Sequence, residues 1–189
     1  MRMLDEIVNY EHVVTLEDGA QVLLRPMVTG DRDALVAMFA ATPEEDVSVL
    51  YHDVRDPAVV TRWCDTLDYA RVLPMIALAD LRAVGQASLH FGRGPQRHTA
   101  KVRVYVAPEF RRRGLGTQLL GALVDVARRL ELQILVAEVL SEQTSVIRAF
   151  MGVGFDLCCA HDDYFMLPNG ETRDVSTLAL RLHAHELVL

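Results

Sequence analysis

The sequence has little of what marks membrane or secreted proteins. Its longest uncharged apolar run, about Val72–Ala79, is far shorter than the ~20 residues that a membrane-spanning helix needs. Asp5 and Glu6 interrupt the N-terminus before any apolar core of a secretory signal could form. Three cysteines, of which Cys158 and Cys159 are adjacent, do not make a disulfide framework. We therefore expect a cytoplasmic protein with no membrane partner.

Basic charge is also in the minority, and lysine is nearly absent. The 189 residues include one Lys among 19 basic residues, against 26 acidic residues, so the formal net charge is −7. A protein that binds nucleic acid over its whole surface is normally basic. Residues 93–113 nevertheless carry +6, which leaves −13 on the other 168 residues. This division favours a compact anion site in an acidic protein, with no nucleic acid as partner.

No Gly-, Ser- or Pro-rich linker and no internal repeat divides the chain. We predict an acidic N-terminal arm over residues 1–12 and one domain over residues 13–189. Hydrophobic periodicity predicts the element order ββααββ–β–α–β–α–ββ. The predicted fold class is α/β (α+β), with a mixed, mostly antiparallel sheet of about six to seven strands flanked by about four helices.

The most informative segment is Arg111–Thr117, which lies between a predicted strand and a predicted helix. Val102, Val104 and Val106 alternate with polar residues as in a strand, and helical spacing begins at Gly114. The first N–H groups of a helix have no partners within the helix, and the helix dipole adds positive charge there. Glycines let the backbone close around a phosphate oxygen, and arginines add charge-assisted hydrogen bonds. The segment therefore predicts a phosphate cradle.

Other anion-binding motifs fit this segment less well. A dinucleotide-binding fingerprint needs a third glycine where Leu119 stands. A Walker-type loop needs a Gly-Lys-Ser/Thr sequence, and no lysine is present in the segment. The remaining alternative is a basic turn that only begins a helix.

The segment also resembles a known family. Arg111, Gly114 and Gly116 match the Gln/Arg-x-x-Gly-x-Gly/Ala motif with which the GNAT superfamily of N-acetyltransferases binds acyl-CoA. The run Ser145–Phe155 resembles that family's last conserved block, and Leu24–Pro26 with Asp31 resembles its first strand and helix. The resemblance covers residues ~20–182 in the family's element order.

This resemblance implies a GNAT-type domain in which a splayed pair of parallel strands holds acetyl-CoA, with no metal. Backbone amides of residues 112–117 would bind the pyrophosphate, and the amide of Val104 would polarise the thioester carbonyl. The residues implied in cofactor binding are Val104, Tyr105, Val106, Arg111, Arg112, Arg113, Gly114, Leu115, Gly116, Thr117, Gln143 and Phe150.

The sequence departs from the family at the positions of catalytic side chains. Gln143 stands where many members have an Asn, and Phe150 stands where many have a Tyr that acts as general acid. Near Lys101, some protein-acetylating members have a basic Glu that is missing here. Phe150 has no proton to donate, so the catalytic groups must be sought elsewhere.

Four side chains are candidate substitutes. His90 ends the predicted strand Ala83–His90, which precedes a predicted loop over Gly92–Gln96, and it is the first choice as a base. The alternative is a half-exposed histidine at a strand end that has no catalytic role. Glu138 lies inside an apolar run, where a charged group indicates a site or an ion pair. Tyr105 and Tyr164 are further candidates, although aromatic residues beside strands often only pack.

The resulting hypothesis is an acyltransferase that moves an acetyl group from acetyl-CoA to an amine by direct attack. The stretch Thr29–Tyr69 contains nine acidic residues and three arginines, which suggests a cationic small molecule or a protein amine as acceptor. A sensor that binds acetyl-CoA or CoA without transferring the acetyl group is the alternative, and a nucleic-acid binder is a third. A homodimer is left open.

Overall fold

The computed structural model describes residues 7–182, so residues 1–6 of the predicted arm and 183–189 of the predicted domain lie outside the described part. The strands are β1 His12–Thr15, β2 Gln21–Pro26, β3 Val72–Ala79, β4 Arg82–Phe91, β5 Thr99–Val106, β6 Ile134–Leu140, β7 Asp156–Met166 and β8 Thr172–Arg181. The α-helices that lie wholly within the described part are α1 Arg32–Ala40, α2 Glu44–Val47, α3 Pro57–Asp65, α4 Leu115–Arg129 and α5 Thr144–Val153.

The eight strands form one sheet in the order β1-β2-β3-β4-β5-β6-β8-β7. All neighbouring strands are antiparallel except β5 and β6, which are parallel. The mixed, mostly antiparallel α/β fold is confirmed, with eight strands instead of six to seven. The additional short helix α2 has only four residues, which is too few to give a helical period in the sequence.

Helix α4 covers one face of the sheet because its apolar residues recur at helical spacing. Leu115, Leu119, Leu123 and Val126 are at most 1% exposed and belong to the larger of two hydrophobic clusters. Burial of each such side chain contributes roughly 1.5–3 kcal/mol to folding. The helix begins directly after the arginine-rich segment, so this packing fixes the position of the predicted cradle.

The opposite face of the sheet carries the second cluster, which includes Phe39 of α1, Val60 and Cys64 of α3, and Tyr105 of β5. These helices come from the predicted acidic stretch. The described end of the predicted N-terminal arm also packs on the domain, since Ile7 is fully buried in the larger cluster. Among residues 7–182, no helix is both long and apolar enough to cross a bilayer.

The last two strands are longer than their sequence patterns indicated. The sequence pattern predicts these strands over Phe155–Ala160 and Ser176–Leu182. The first continues to Met166 in β7, which is an edge strand with almost every residue exposed, and the second begins earlier, at Thr172 in β8. Exposed edge residues do not alternate between apolar and polar, so the period-2 pattern ends before the strand does.

Candidate active site

The central strands β5 and β6 separate after a short stretch of pairing. They pair only where Thr99–Lys101 meets Ile134–Val136. Both strands then continue, to Val106 and Leu140, without pairing to each other. The fold therefore contains the splayed pair of parallel strands expected from the family resemblance, with a gap that opens toward the start of α4.

The register with β4 determines which backbone groups of β5 face this gap. Ala107 N–H donates to Val84 at 3.0 Å, and Gly92 N–H donates to Thr99 at 2.9 Å. Since hydrogen-bonded pairs alternate along an antiparallel ladder, Arg103 and Tyr105 bond to β4 whereas Val104 faces the other way. The N–H and C=O of Val104 thus point into the gap that β6 has left.

The predicted cradle lies at the carboxyl end of β5. Gly114 is the N-cap of α4 with φ +85°, a left-handed conformation that favours glycine, and Arg112 has φ +54°. The first intrahelical bond of α4 runs from Gln118 N–H to Gly114 C=O at 3.1 Å. The N–H groups of residues 115–117 therefore have no acceptor within the helix and are available to an anion.

Two of the three arginines in this segment are ion-paired within the fold. Arg111 pairs with Asp46 of α2, and its Nε donates to the Val106 carbonyl at 3.0 Å. Arg113 pairs with Asp18 in the turn between β1 and β2. Arg112 is exposed and forms no ion pair with any described residue. It is the arginine of this segment whose charge is not already matched.

The two predicted cofactor residues after β6 have different environments. The Gln143 carbonyl accepts hydrogen bonds from Val146 at 3.0 Å and Ile147 at 3.1 Å in the first turn of α5. Phe150 is 4% exposed and packs edge-to-face on Phe155, with ring centroids 5.0 Å apart. Phe150 thus belongs to the larger core, and cofactor contact by either residue stays a prediction.

A cavity of about 570 Å³ lies on the face of the sheet opposite α4. It is bounded by the strands on one side and by α1 and α3 on the other. Because directly opposite residues of antiparallel strands share a face, Ser88 and His90 of β4 project beside Arg103 and Lys101 of β5. The lining residues are Met27, Phe39, Leu50, Tyr51, His52, Val54, Trp63, Thr66, Leu67, Asp68, Arg71, Val72, Pro74, Gln86, Ser88, His90, Arg103, Val104 and Tyr105.

His90 is placed in this cavity and is kept neutral. Its Nε2 lies 3.0 Å from the Ser88 hydroxyl oxygen. Burial, followed by the positive charges of Arg103, His52 and Lys101, lowers the pKa of His90 to about 4. The imidazole is therefore neutral at pH 7 and has one ring nitrogen that can accept a proton, but it is a weak base.

Glu138 does not line the cavity, and both its carboxylate oxygens are engaged. Lys101 Nζ donates to Oε1 at 2.8 Å, and the Tyr51 hydroxyl donates to Oε2 at 3.0 Å. Burial raises the pKa of Glu138, but these hydrogen bonds and the charges of Lys101 and Arg103 outweigh it and lower the pKa. Burial and the bond to Glu138 raise the pKa of Tyr51 to about 12.

The two tyrosine candidates differ in position. Tyr105 is 7% exposed and lines the cavity, and its hydroxyl lies 2.9 Å from the Thr42 hydroxyl. Burial raises the pKa of Tyr105, so its phenol stays protonated. Tyr164 is 55% exposed on β7 and stacks on His161, outside the cavity. The fold thus brings His90, Tyr105 and Val104 to one cavity, and Glu138 and Tyr164 to other places.

The acidic acceptor side suggested by the sequence is not found in the cavity lining. Of the nine acids between residues 29 and 69, only Asp68 lines the cavity. Asp31 and Asp46 form ion pairs with arginines elsewhere in the fold. The lining instead contains Arg71 and Arg103. Sequence reasoning missed Arg103 as a cavity residue, although its alternation with the valines of β5 placed it on the face of Tyr105.

Comparisons with known proteins agree with this geometry. A protein of Salmonella typhimurium, L-methionine sulfoximine/L-methionine sulfone acetyltransferase, is 33% identical over 89 residues, which are 47% of this chain. The chain thus spans about half (52%) of that relative's length.

Two solved structures share the fold over most of both chains. The GNAT domain of S. lividans PAT superposes with a TM-score of 0.75 at 20% identity, covering 90% of this chain and 96% of that one. The S. typhimurium protein yncA, solved with its cofactor acetyl-CoA, gives 0.74 at 23% identity over 87% and 96%. Residues 34–155 match the acetyltransferase (GNAT) family. Since that match includes the splayed strands, the cradle and α4, the chain belongs to the GNAT acetyltransferase family.

Proposed function

We propose that the protein transfers an acetyl group from acetyl-CoA to the amine of a small molecule bound in the cavity. The observation that carries this proposal is that strand β5 presents groups both to the gap and to the cavity. Its Val104 amide points into the gap beside the cradle, while the neighbouring Arg103 and Tyr105 side chains line the cavity on the acceptor side. Two ligands can therefore approach the same short stretch of backbone from different directions.

The residues at the gap fit acetyl-CoA, which would supply an acetyl group activated as a thioester. The N–H groups of residues 115–117 and the exposed Arg112 would hold the pyrophosphate. A side chain at Gly114 would have to adopt the left-handed conformation and would lie 3.5 Å from Glu17 Oε1. The free amide of Val104 would stabilise negative charge on the carbonyl oxygen.

The cavity favours an acceptor amine in its neutral, nucleophilic form. Arg103 and Arg71 lie in the lining, and Lys101 lies beside it. Positive charges disfavour protonation of a nearby group, and after burial they are the second cause of the low pKa of His90. An ammonium group of the acceptor would lose its proton more readily in this environment, so a strong general base is not required. The His90 and Ser88 pair offers a hydrogen-bonded route for that proton.

A small-molecule acceptor is supported by the cavity's size and by the curated relative. A volume of about 570 Å³ lies in the range typical of small-ligand sites. The S. typhimurium relative is named for two small amino-acid derivatives. The scarcity of acids in the lining gives no support to a cationic small molecule, and the volume of the cavity favours a small molecule over a protein amine.

The test is thiol release from acetyl-CoA with a broad panel of primary amines, with mass spectrometry of the acetylated products. Titration of acetyl-CoA is measured in parallel. We expect Gly114→Trp to weaken acetyl-CoA binding at least ~100-fold, because a side chain in this left-handed turn strains the backbone that forms the cradle. The matched control is Gly121→Trp on the same helix, where an added Cβ meets no atom within 4 Å.

The outcomes separate the alternatives. Tight acetyl-CoA binding without transfer to any amine would support a sensor of acetyl-CoA. Unchanged binding by Gly114→Trp would show that the cradle does not hold the cofactor.

A further inference from the structure

Arg103 is a half-buried guanidinium in the cavity wall with no carboxylate partner. Its Cζ lies 3.8 Å from the centroid of the Tyr51 ring. Apart from this stacking, Arg103 makes no hydrogen bond or ion pair with any residue in the range 7–182. A guanidinium has five N–H donors, and those of Arg103 have no acceptor among these residues. The donors of Arg103 thus remain available to a ligand in the cavity.

The carboxylate whose charge acts on Arg103, that of Glu138, is hydrogen-bonded to other residues. Glu138 accepts hydrogen bonds from Lys101 at 2.8 Å and Tyr51 at 3.0 Å, one on each oxygen. Lys101 lies two positions before Arg103 on the same face of β5. Glu138 therefore forms its ion pair with Lys101, and its charge acts on Arg103 without a hydrogen bond or ion pair between them.

The ionisable groups in the cavity lining leave an excess of positive charge, with two arginines against one acid. Arg71 and His52 also line it, and the acid in the lining is Asp68. Oδ1 of Asp68 accepts the backbone N–H of Ala70 at 3.0 Å. Burial lowers the pKa of Arg103, which indicates that water does not fully solvate its charge. An anion in the cavity would compensate for this lost solvation.

The rest of the lining is largely apolar and aromatic. Phe39 and Trp63 pack edge-to-face with ring centroids 5.9 Å apart, and Leu50, Val54 and Leu67 lie around the same cavity. These side chains offer no partner for a second charge but suit an apolar or aromatic group.

We propose that the acceptor carries an anionic group that Arg103 binds, together with an apolar or aromatic body that packs on Phe39 and Trp63. This inference rests on the proposed function and specifies its substrate class as small anionic amines. A carboxylate fits the fork of the guanidinium through two parallel hydrogen bonds, and a phosphonate or sulfonate offers the same geometry.

The test compares amines that differ only in the anionic group. The panel contains the standard L-amino acids and their carboxamides, together with 2-aminoethylphosphonate and taurine beside ethanolamine. We expect the wild-type kcat/KM to be at least ~10-fold higher for the anionic member of the best pair, since charge-assisted hydrogen bonds are stronger than neutral ones. The preferred head group then distinguishes carboxylate from phosphonate and sulfonate.

Variants at Arg103 assign the effect to this side chain. Arg103→Met should lower kcat/KM for the anionic member about 30- to 100-fold, mainly through KM, and leave its uncharged partner within threefold. Arg103→Lys should recover part of the loss, because it keeps the charge but not the fork. The control Arg181→Met removes an exposed charge at the end of β8, outside the cavity.

Failure of this inference differs from failure of the proposed function. Equal use of both members of every pair, or an equal loss for both members in Arg103→Met, would overturn the anion site while acetyl transfer stands. If no amine is acetylated, calorimetric titration of the acetyl-CoA complex with N-acetyl-L-phenylalanine and its amide still measures the anion site. Preferential binding of the acid by wild type but not by Arg103→Met would support it, and no preference would overturn it.

Discussion

His90 links the electrostatics of the cavity to the stability of the fold. Its pKa is about 4, because burial and three neighbouring cationic groups disfavour its protonated form. An unfolded chain binds this proton near pH 6.5. Between pH 6.5 and pH 4 the unfolded state therefore binds more protons than the folded state, and stability falls as the pH falls.

We expect His90 to account for about 1–3 kcal/mol of the stability that is lost between pH 6.5 and pH 4. In His90→Gln this part of the pH dependence should be absent. Urea unfolding at pH 7, 5.5 and 4.5 measures it. The control is His98→Gln, since His98 precedes β5 outside the cavity and should keep the wild-type slope. Equal slopes in wild type and His90→Gln would contradict the expectation.

At the residue scale, local spacing predicted some site features and could not predict others. Gly114 and Gly116 were recognisable because a left-handed turn and a close approach to a phosphate both require glycine at fixed offsets. The lack of an ion pair at Arg103 was not predictable, because it depends on Glu138 being taken by Lys101. That pairing arises only when β5 and β6 come together, 37 residues apart in sequence.

At the element scale, the separation of β5 from β6 turns the middle of a central strand into a local edge. Proline is tolerated at strand edges but removes a ladder hydrogen bond inside a sheet. The N–H of Val104 faces the gap, whereas that of Arg103 bonds to β4. Substitution by proline should therefore change the stability of the fold very differently at these two adjacent residues.

We expect Val104→Pro to fold with a modest loss of stability and to lower acetyl transfer about 100-fold, because it removes one donor to the carbonyl. Arg103→Pro removes a ladder bond inside the sheet and should be clearly more destabilising than Val104→Pro. Thermal unfolding of both variants, with thiol release by Val104→Pro, tests this. A larger loss of stability in Val104→Pro than in Arg103→Pro would show that the amide is part of the sheet.

The element order was predictable because the long strands and α4 have strong hydrophobic periodicity. The separation of β5 from β6 could not be derived from that periodicity. Val102, Val104 and Val106 read as ordinary strand residues whether or not β6 pairs with them. The splay followed only from the family resemblance. Its physical basis is visible in the register, which ends at Lys101 and Val136.

At the scale of the whole molecule, the positions of the basic residues are more informative than the net charge. Seven basic residues lie between positions 93 and 113, but Lys101, Arg111 and Arg113 are paired with acids from other elements. The local excess therefore does not form one basic patch. Of the four basic residues that remain, Arg112 lies at the cradle and Arg103 in the cavity, whereas Arg93 and Arg97 lie between β4 and β5.

A pair of charge reversals separates the local field of the cradle from the net charge of the molecule. Arg112→Glu and Arg181→Glu each replace one positive charge by one negative charge, so both change the long-range field by the same amount. Arg112 adjoins the free N–H groups of α4, whereas Arg181 ends β8 beside Ile134, at the opposite end of the sheet. Acetyl-CoA, a polyanion, should respond to the local charge because exposed charges beyond ~10 Å are screened at 0.1 M salt.

We therefore expect Arg112→Glu to weaken acetyl-CoA binding about 10-fold or more and Arg181→Glu to leave it within twofold. Raising the salt from 0.05 M to 0.3 M should reduce the effect of Arg112→Glu on acetyl-CoA affinity only in part. The free helical amides still hold the anion beside the altered residue. Equal weakening by both variants would mean that net charge, not the cradle, governs cofactor affinity. An effect of Arg112→Glu alone places the cofactor's charge at the start of α4, where the left-handed turn at Gly114 leaves those amides exposed.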